Sequence, residues 1–172
     1  MTNSLLEKKF LDAAVRSDNE TLIKCLKKGV DVNVKTDDEE EQPALHLAAR
    51  FNHQETMRLL LANGVAIDLR KKNHSTPLDK AARRGNLKTV KLLIENKANI
   101  NTQNGLSYHG HTPLCFAIYG TDATNKGPLP AEQKRAIIQE LIKAKADVNL
   151  SREDGYTALH IASEMGYHET MR

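Results

Sequence analysis

An all-α repeat solenoid is the fold class this sequence predicts, and three observations carry that prediction. A short motif recurs four times: Pro43-Ala44-Leu45-His46-Leu47-Ala48-Ala49, Thr76-Pro77-Leu78-Asp79-Lys80-Ala81-Ala82, Thr112-Pro113-Leu114-Cys115-Phe116-Ala117 and Thr157-Ala158-Leu159-His160-Ile161-Ala162. Its leucines, Leu45, Leu78, Leu114 and Leu159, lie 33, 36 and 45 residues apart, a period typical of stacked supersecondary units. A second signature keeps a 19-residue offset from the leucine, as Gly64-Val65-Ala66-Ile67-Asp68 and Lys97-Ala98-Asn99-Ile100-Asn101. It recurs as Gly29-Val30-Asp31-Val32-Asn33 and Lys145-Ala146-Asp147-Val148-Asn149. Between the signatures, apolar residues follow helical i, i+3, i+4 spacing rather than strand alternation.

Taken in order, residues 1–37 form a degenerate first unit around Phe10-Leu11-Asp12-Ala13-Ala14. Residues 38–70 form a second unit, entered through the acidic block Asp37-Asp38-Glu39-Glu40-Glu41, whose Pro43-Ala44 lacks a capping hydroxyl. Residues 71–106 form a third. Thr76-Pro77 there, like Thr112-Pro113 in the fourth, supplies an N-cap oxygen and a first helical residue with preset φ. The fourth unit, 107–150, carries an insertion near 121–130 that two prolines and a glycine mark as loop, with the following helix starting near Ala131-Glu132. Residues 151–172 form an incomplete fifth unit, ending on Glu169-Thr170-Met171-Arg172, which repeats Glu55-Thr56-Met57-Arg58. The array therefore looks cut within a helix, leaving an uncapped end open to self-association.

The second helices place Leu22, Cys25, Leu26; Met57, Leu60, Leu61; Val90, Leu93, Ile94; and Ile138, Leu141, Ile142 on one face. Gly29 and Gly64 stand where such a helix ends in a left-handed residue. Lys97 and Lys145 replace that glycine, at a cost of about 1–2 kcal/mol each if they adopt the same conformation.

The Thr-Pro-Leu-His-x-Ala pattern at this period resembles the ankyrin repeat, and the resemblance covers essentially all of residues 5–172. It implies helix-turn-helix units joined by β-hairpin-like fingers, with His46 and His160 in structural hydrogen bonds. It also implies partners docking on the concave face, and hydroxylation of hairpin asparagines at positions such as Asn33, Asn101 and Asn149 in some members.

Enzyme signatures are absent: no P-loop, dinucleotide fingerprint, His-Glu-x-x-His or nucleophile elbow occurs, so no catalytic, cofactor-binding or metal residue is expected. His109 and His111 read as exposed loop histidines. Cys25 and Cys115 read as isolated core residues, too far apart in a stacked array to pair. A net charge of +3 is too small to imply nucleic acid, no apolar run is long enough for a membrane span, and no signal-peptide pattern opens the chain. A cytoplasmic setting is the expectation.

Function then falls to surfaces. The concave positions that the resemblance carries over, at the ends of the first helices and the finger tips, give the partner-binding candidates Arg50, Phe51, Lys72, Arg83, Arg84, Tyr108, His109, Tyr119 and Tyr156. Gln42 and Ser75 belong to the same fingers. Arg and aromatic residues dominate binding hot spots. The basic centre, with Arg70 and Lys71, stands beside the acidic finger and gives the groove a change of sign suited to a partner of mixed charge. The expectation is a non-catalytic protein-binding module. The alternative is the N-terminal recruiting region of a larger enzyme, or of a translocated microbial or viral effector, with its chemistry beyond Arg172.

Overall fold

The computed structural model describes residues 4–104, 110–120 and 127–166. Within them the chain forms helices in pairs, an inner helix followed by an outer one. The pairs are α1 (Leu5–Arg16) with α2 (Asn19–Lys27), α3 (Ala44–Arg50) with α4 (Gln54–Ala62), α5 (Pro77–Arg83) with α6 (Leu87–Glu95), and α7 (Pro113–Tyr119) with α8 (Ala131–Lys143). A further inner helix, α9 (Ala158–Glu164), follows. The expected helical solenoid is thus present. Its fingers are held by less than hairpin ladders: isolated antiparallel bridges join Lys35 with Pro43 and Ser151 with Thr157.

Small residues bring the inner helices together. Ala13, Ala14, Ala48, Ala49, Ala81, Ala82, Ala117 and Ala162 are all buried, and α1, α3, α5, α7 and α9 pack in one continuous row. The outer helices touch one another less, so the row is tighter on its inner side. Leu22 and Cys25, Met57 and Leu60, Val90 and Leu93, and Ile138 and Leu141 are buried, as the helical spacing requires. Cys25 and Cys115 are buried free thiols.

The caps follow the sequence. Thr76 Oγ1 accepts from the Asp79 N–H and the Asp79 carboxylate accepts from the Thr76 N–H, while Thr112 Oγ1 accepts from the Cys115 N–H. Pro43 offers no cap bond to α3. Outer helices end in the left-handed region at Gly29 (φ 84°), Gly64 (φ 80°), Lys97 (φ 67°) and Lys145 (φ 68°). Both lysines therefore adopt the strained conformation.

Neighbouring pairs are stitched along two seams. At the outer-helix ends, Asn33 Oδ1 accepts from the Ala66 N–H (2.9 Å), Asp68 from the Asn99 N–H (3.1 Å) and Asn101 Oδ1 from the Asp147 N–H (2.9 Å). At the turns between helices, the Val15 carbonyl accepts from His53 Nε2, the Ala49 carbonyl from Asn86 Nδ2, and the Gly85 carbonyl from Gln133 Nε2.

The insertion is not wholly a free loop. Residues 121–126 lie outside the described residues, but its return is docked: Leu129 is buried and its N–H donates to the Gly120 carbonyl (3.1 Å). A Cβ on Gly120 would stand 2.5 Å from Leu129 Cδ1 and one on Gly85 2.9 Å from the same atom, so both glycines make room for it. Helix α8 starts at Ala131, where expected. The final residues of the incomplete unit, 167–172, lie outside the described residues.

Candidate functional site

The inner-helix ends and finger bases carry the candidate residues, and the structure sorts them into separate places. Arg50 ends α3 with its guanidinium 5.3 Å from the centre of the Phe51 ring. Phe51 is 45% exposed and stacks on His53 at 5.8 Å. Arg83 and Arg84, closing α5, are half-buried. Lys72 is exposed on its finger, its N–H donating to the Glu40 carbonyl of the preceding finger (3.2 Å). Tyr119 is half-buried, edge-on to His111 at 5.1 Å. Tyr156 is exposed, 5.6 Å from the Arg152 guanidinium, and a hydrogen bond with Glu164 raises its phenol pKa. Tyr108 and His109 lie outside the described residues.

Arg50 and Phe51 close α3 and Arg83 and Arg84 close α5, the turn after α5 reaching back through Asn86 Nδ2 to the Arg50 carbonyl (3.3 Å), whereas Tyr119 and Tyr156 belong to later pairs. Four expectations need correction. His111 is buried rather than an exposed loop histidine, because its ring is enclosed by Phe116 and Tyr119. Gln42 and Ser75 are likewise buried at the finger bases. The acidic finger is not a free block of charge: Asp37 pairs with Lys8 (3.0 Å), Asp38 accepts from the Glu40 and Glu41 N–H groups, and Glu40 pairs with Lys71 (2.9 Å). Those partners hold the Asp37 and Glu40 carboxyls below the usual carboxylate range. Lys71, read as part of an open basic patch, is buried behind that ion pair.

The sequence reading passed over Lys80. It occupies the column filled by the buried Leu47, Phe116 and Ile161. Burial first, then the like charges of Lys71 and Arg50, push its amine down to about 8. The signal was present as a lysine in an apolar column. Next to it Asp79 takes the motif-histidine position, and burial raises its carboxyl to about 7 even though Thr76 donates to it. His46, where the motif is intact, donates from Nε2 to the Ser75 carbonyl of the next finger (2.8 Å) and is held neutral by burial, its pKa down to about 3. The described residues contain no cluster of His, Cys, Asp or Glu able to hold a metal, and no described helix is long and apolar enough to cross a membrane.

The comparisons with known proteins agree with this architecture. The model for ankyrin repeats (3 copies) matches residues 11–104, and that for a single ankyrin repeat matches 154–172. The chain is 32% identical over 172 residues to the ankyrin repeat protein FPV031 of fowlpox virus (strain NVSL), covering 97% of this chain and 45% of that protein. It is 30% identical to Ankyrin repeat and SAM domain-containing protein 6 of Rattus norvegicus, over 91% of this chain and 16% of that one. It is 32% identical to the Oryza sativa subsp. japonica protein "Probable E3 ubiquitin-protein ligase XBOS31", over 51% of this chain and 22% of that one. The chain spans less than half the length of each of these relatives. Family match, period and helix pairing converge: this chain belongs to the ankyrin-repeat family, whose repeats mediate protein–protein interaction.

Proposed function

We propose that the chain is a non-catalytic protein-binding module whose partner docks on the concave face, across the inner-helix ends from Arg50 and Phe51 toward Tyr156. The observation that carries this reading is Phe51: a large aromatic ring, 45% exposed, held under the Arg50 guanidinium at the end of an inner helix. A ring in that state has apolar area left to bury and a cation beside it, the chemistry of an interface anchor. Adjacent pairs extend the surface enough for a standard interface of about 800 Å² per partner.

The test is capture of partners from the native cell with the wild-type chain, an Arg50→Ala/Phe51→Ala variant and an Arg83→Glu/Arg84→Glu variant, helical content being followed by circular dichroism. Loss of the same partner from both variants, with helices intact, is the expected result. Undiminished capture by both would remove the groove assignment.

A second reading makes the array the recruiting region of a larger enzyme or effector. The relative named as an E3 ubiquitin-protein ligase, of which the matched stretch is 22%, favours it. Under that reading the purified chain turns nothing over, and the parent open reading frame continues past Arg172 into a separate domain. A stop codon directly after Arg172 would eliminate it.

A further inference from the structure

We infer that the segment Gly127–Pro130 is an autoinhibitory strap: Leu129 fills a seat between Gly85 and Gly120 on the row of inner-helix ends, and an apolar side chain of the docking partner takes that seat when the strap is displaced. The inference rests on the concave-face reading above and adds how that surface is regulated.

Gly120 is the starting point. Helices α3, α5, α7 and α9 are closed by Phe51, Arg84, Gly120 and Met165. Three of these project a long side chain from the row, and Gly120 projects none. Its φ of −11° lies outside the left-handed region, so this glycine does not serve a left-handed turn. What it provides is space: a Cβ there would stand 2.5 Å from Leu129 Cδ1. Gly85 follows the same logic. Ser17 (φ 58°) and Asn52 (φ 60°) hold its place in the first two pairs, so a residue with a side chain can adopt that backbone. A Cβ on Gly85 would meet Gln133 Nε2 at 2.7 Å and Leu129 Cδ1 at 2.9 Å. Two glycines from neighbouring pairs thus shape one seat, and one leucine fills it.

The strap is not needed to build the array. The first three pairs pass from inner to outer helix through residues 17–18, 51–53 and 84–86 alone. Gln133, on α8 itself, joins the fourth pair to the third by donating from Nε2 to the Gly85 carbonyl (2.8 Å). Leu129 holds the strap down through its buried side chain and its N–H, which donates to the Gly120 carbonyl (3.1 Å). Pro128 and Pro130 on either side are exposed and bring no N–H of their own. A partner crossing from Phe51 toward Tyr156 passes the end of α7, where Leu129 covers Gly120. Such a partner gains the seat only in the fraction of molecules whose strap is open, and a tethered occupant competes at high effective concentration.

The experiment titrates the full chain with a blocked Gly-Pro-Leu-Pro peptide, the strap's own sequence, and follows the amide NMR signals of Gly85 and Gly120. Leu129→Ser empties the seat and should bind the peptide at least about tenfold more tightly than the wild-type chain, whose seat is filled. Adding Gly85→Ala to Leu129→Ser should abolish that binding, and a Gly-Pro-Ser-Pro peptide should not bind. Leu129→Ala, a milder truncation, should behave as Leu129→Ser does, with helical content checked by circular dichroism. Equal binding by the wild-type and emptied chains overturns the inference, as does no binding by either emptied chain. In capture from the native cell, Leu129→Ser should retain about tenfold more of a Phe51-dependent partner than the wild type. Unchanged or lower retention overturns the strap and leaves the concave-face reading in place. A gain in Leu129→Ser for a partner indifferent to Arg50→Ala/Phe51→Ala would remove the concave-face reading and keep the strap.

Discussion

The second and third inner helices, α3 and α5, have the same length and the same leucine, yet their weak points are opposite. Helix α3 has the intact motif: Leu45, His46 and Leu47 are buried, and His46 bridges to the next finger through the Ser75 carbonyl. What it lacks is its cap. Pro43 has neither hydroxyl nor N–H, and among the described residues His46 Nδ1 is buried with no partner. In α9 the same histidine nitrogen, that of His160, is met by both the N–H and the hydroxyl of Thr157. Helix α5 has the full capping box and Pro77 at its start, but buries Asp79 fully and Lys80 in part, where α3 has His46 and Leu47. A missing cap lowers stability without creating chemistry. Buried charges lower stability and also make it depend on pH, which a missing cap does not do.

The largest test asks whether the two helices share one core. Leu45→Ala and Leu78→Ala, both at positions under 2% exposed, should each cost about 2–5 kcal/mol in urea unfolding. A difference beyond that range would show that the units are not equivalent in packing, and the comparison would fail.

Next comes pH. Asp79 has a folded pKa of about 7, above its unfolded value of 3.8, so its contribution is fully present below about pH 4 and is lost as pH rises through 7. His46 has a folded pKa of about 3, below its unfolded 6.5, so its contribution is present above 6.5 and is lost as pH falls toward 3. The two slopes oppose each other between about pH 4 and 6.5. Asp79→Asn should raise stability at pH 8 by about 1–3 kcal/mol, less than the full desolvation of a charge because a polar amide remains buried. The gain should vanish toward pH 4, and the variant should lose stability steadily as pH falls below 6.5. A gain that does not depend on pH would show that Asp79 is not the titrating group.

A smaller effect is expected from Pro43→Thr, which adds the missing cap and a donor for His46 Nδ1. The gain should be about 1 kcal/mol, because the loss of proline's restraint on the unfolded chain offsets part of it. No gain would mean that the cap is not what separates α3 from α5. Lys97→Gly should stabilise by only about 0.5–1 kcal/mol, relief of the left-handed backbone being partly cancelled by glycine's freedom in the unfolded state. A loss in thermal unfolding would show that the Lys97 side chain has a structural role.

How much of this was readable in the sequence divides along the same line. The helix pairs, the Thr caps, the missing cap at Pro43 and the left-handed Lys97 and Lys145 all follow from local rules, and the structure carries each of them. The state of the surface does not follow from local rules. That Glu40 turns back onto Lys71, and Asp37 onto Lys8, depends on how far one finger lies from its neighbours, which no spacing along the chain encodes. His111 was misjudged for the same reason: finger position suggested exposure, while Phe116 and Tyr119 enclose it from the following helix. Lys80 is an intermediate case, since aligning the units exposes it as a charge in an apolar column, but only the packing shows which cations surround it.

The two seams between pairs have a direction. At the outer-helix ends and at the inter-helix turns, the acceptor belongs to the earlier pair and the donor to the later one: Asn33 to Ala66, Asp68 to Asn99, Asn101 to Asp147, and likewise Val15 to His53, Ala49 to Asn86 and Gly85 to Gln133. At these two seams each pair, once folded, therefore displays ready acceptors to the segment synthesised after it, whereas the fingers also carry bonds that run the other way, His46 Nε2 donating to the Ser75 carbonyl, Arg70 to the Gln103 carbonyl and Gln103 Nε2 to the Ser151 carbonyl. A nascent array leaving the ribosome would thus offer acceptors at its helix ends, and donors at its fingers, to each unit that follows.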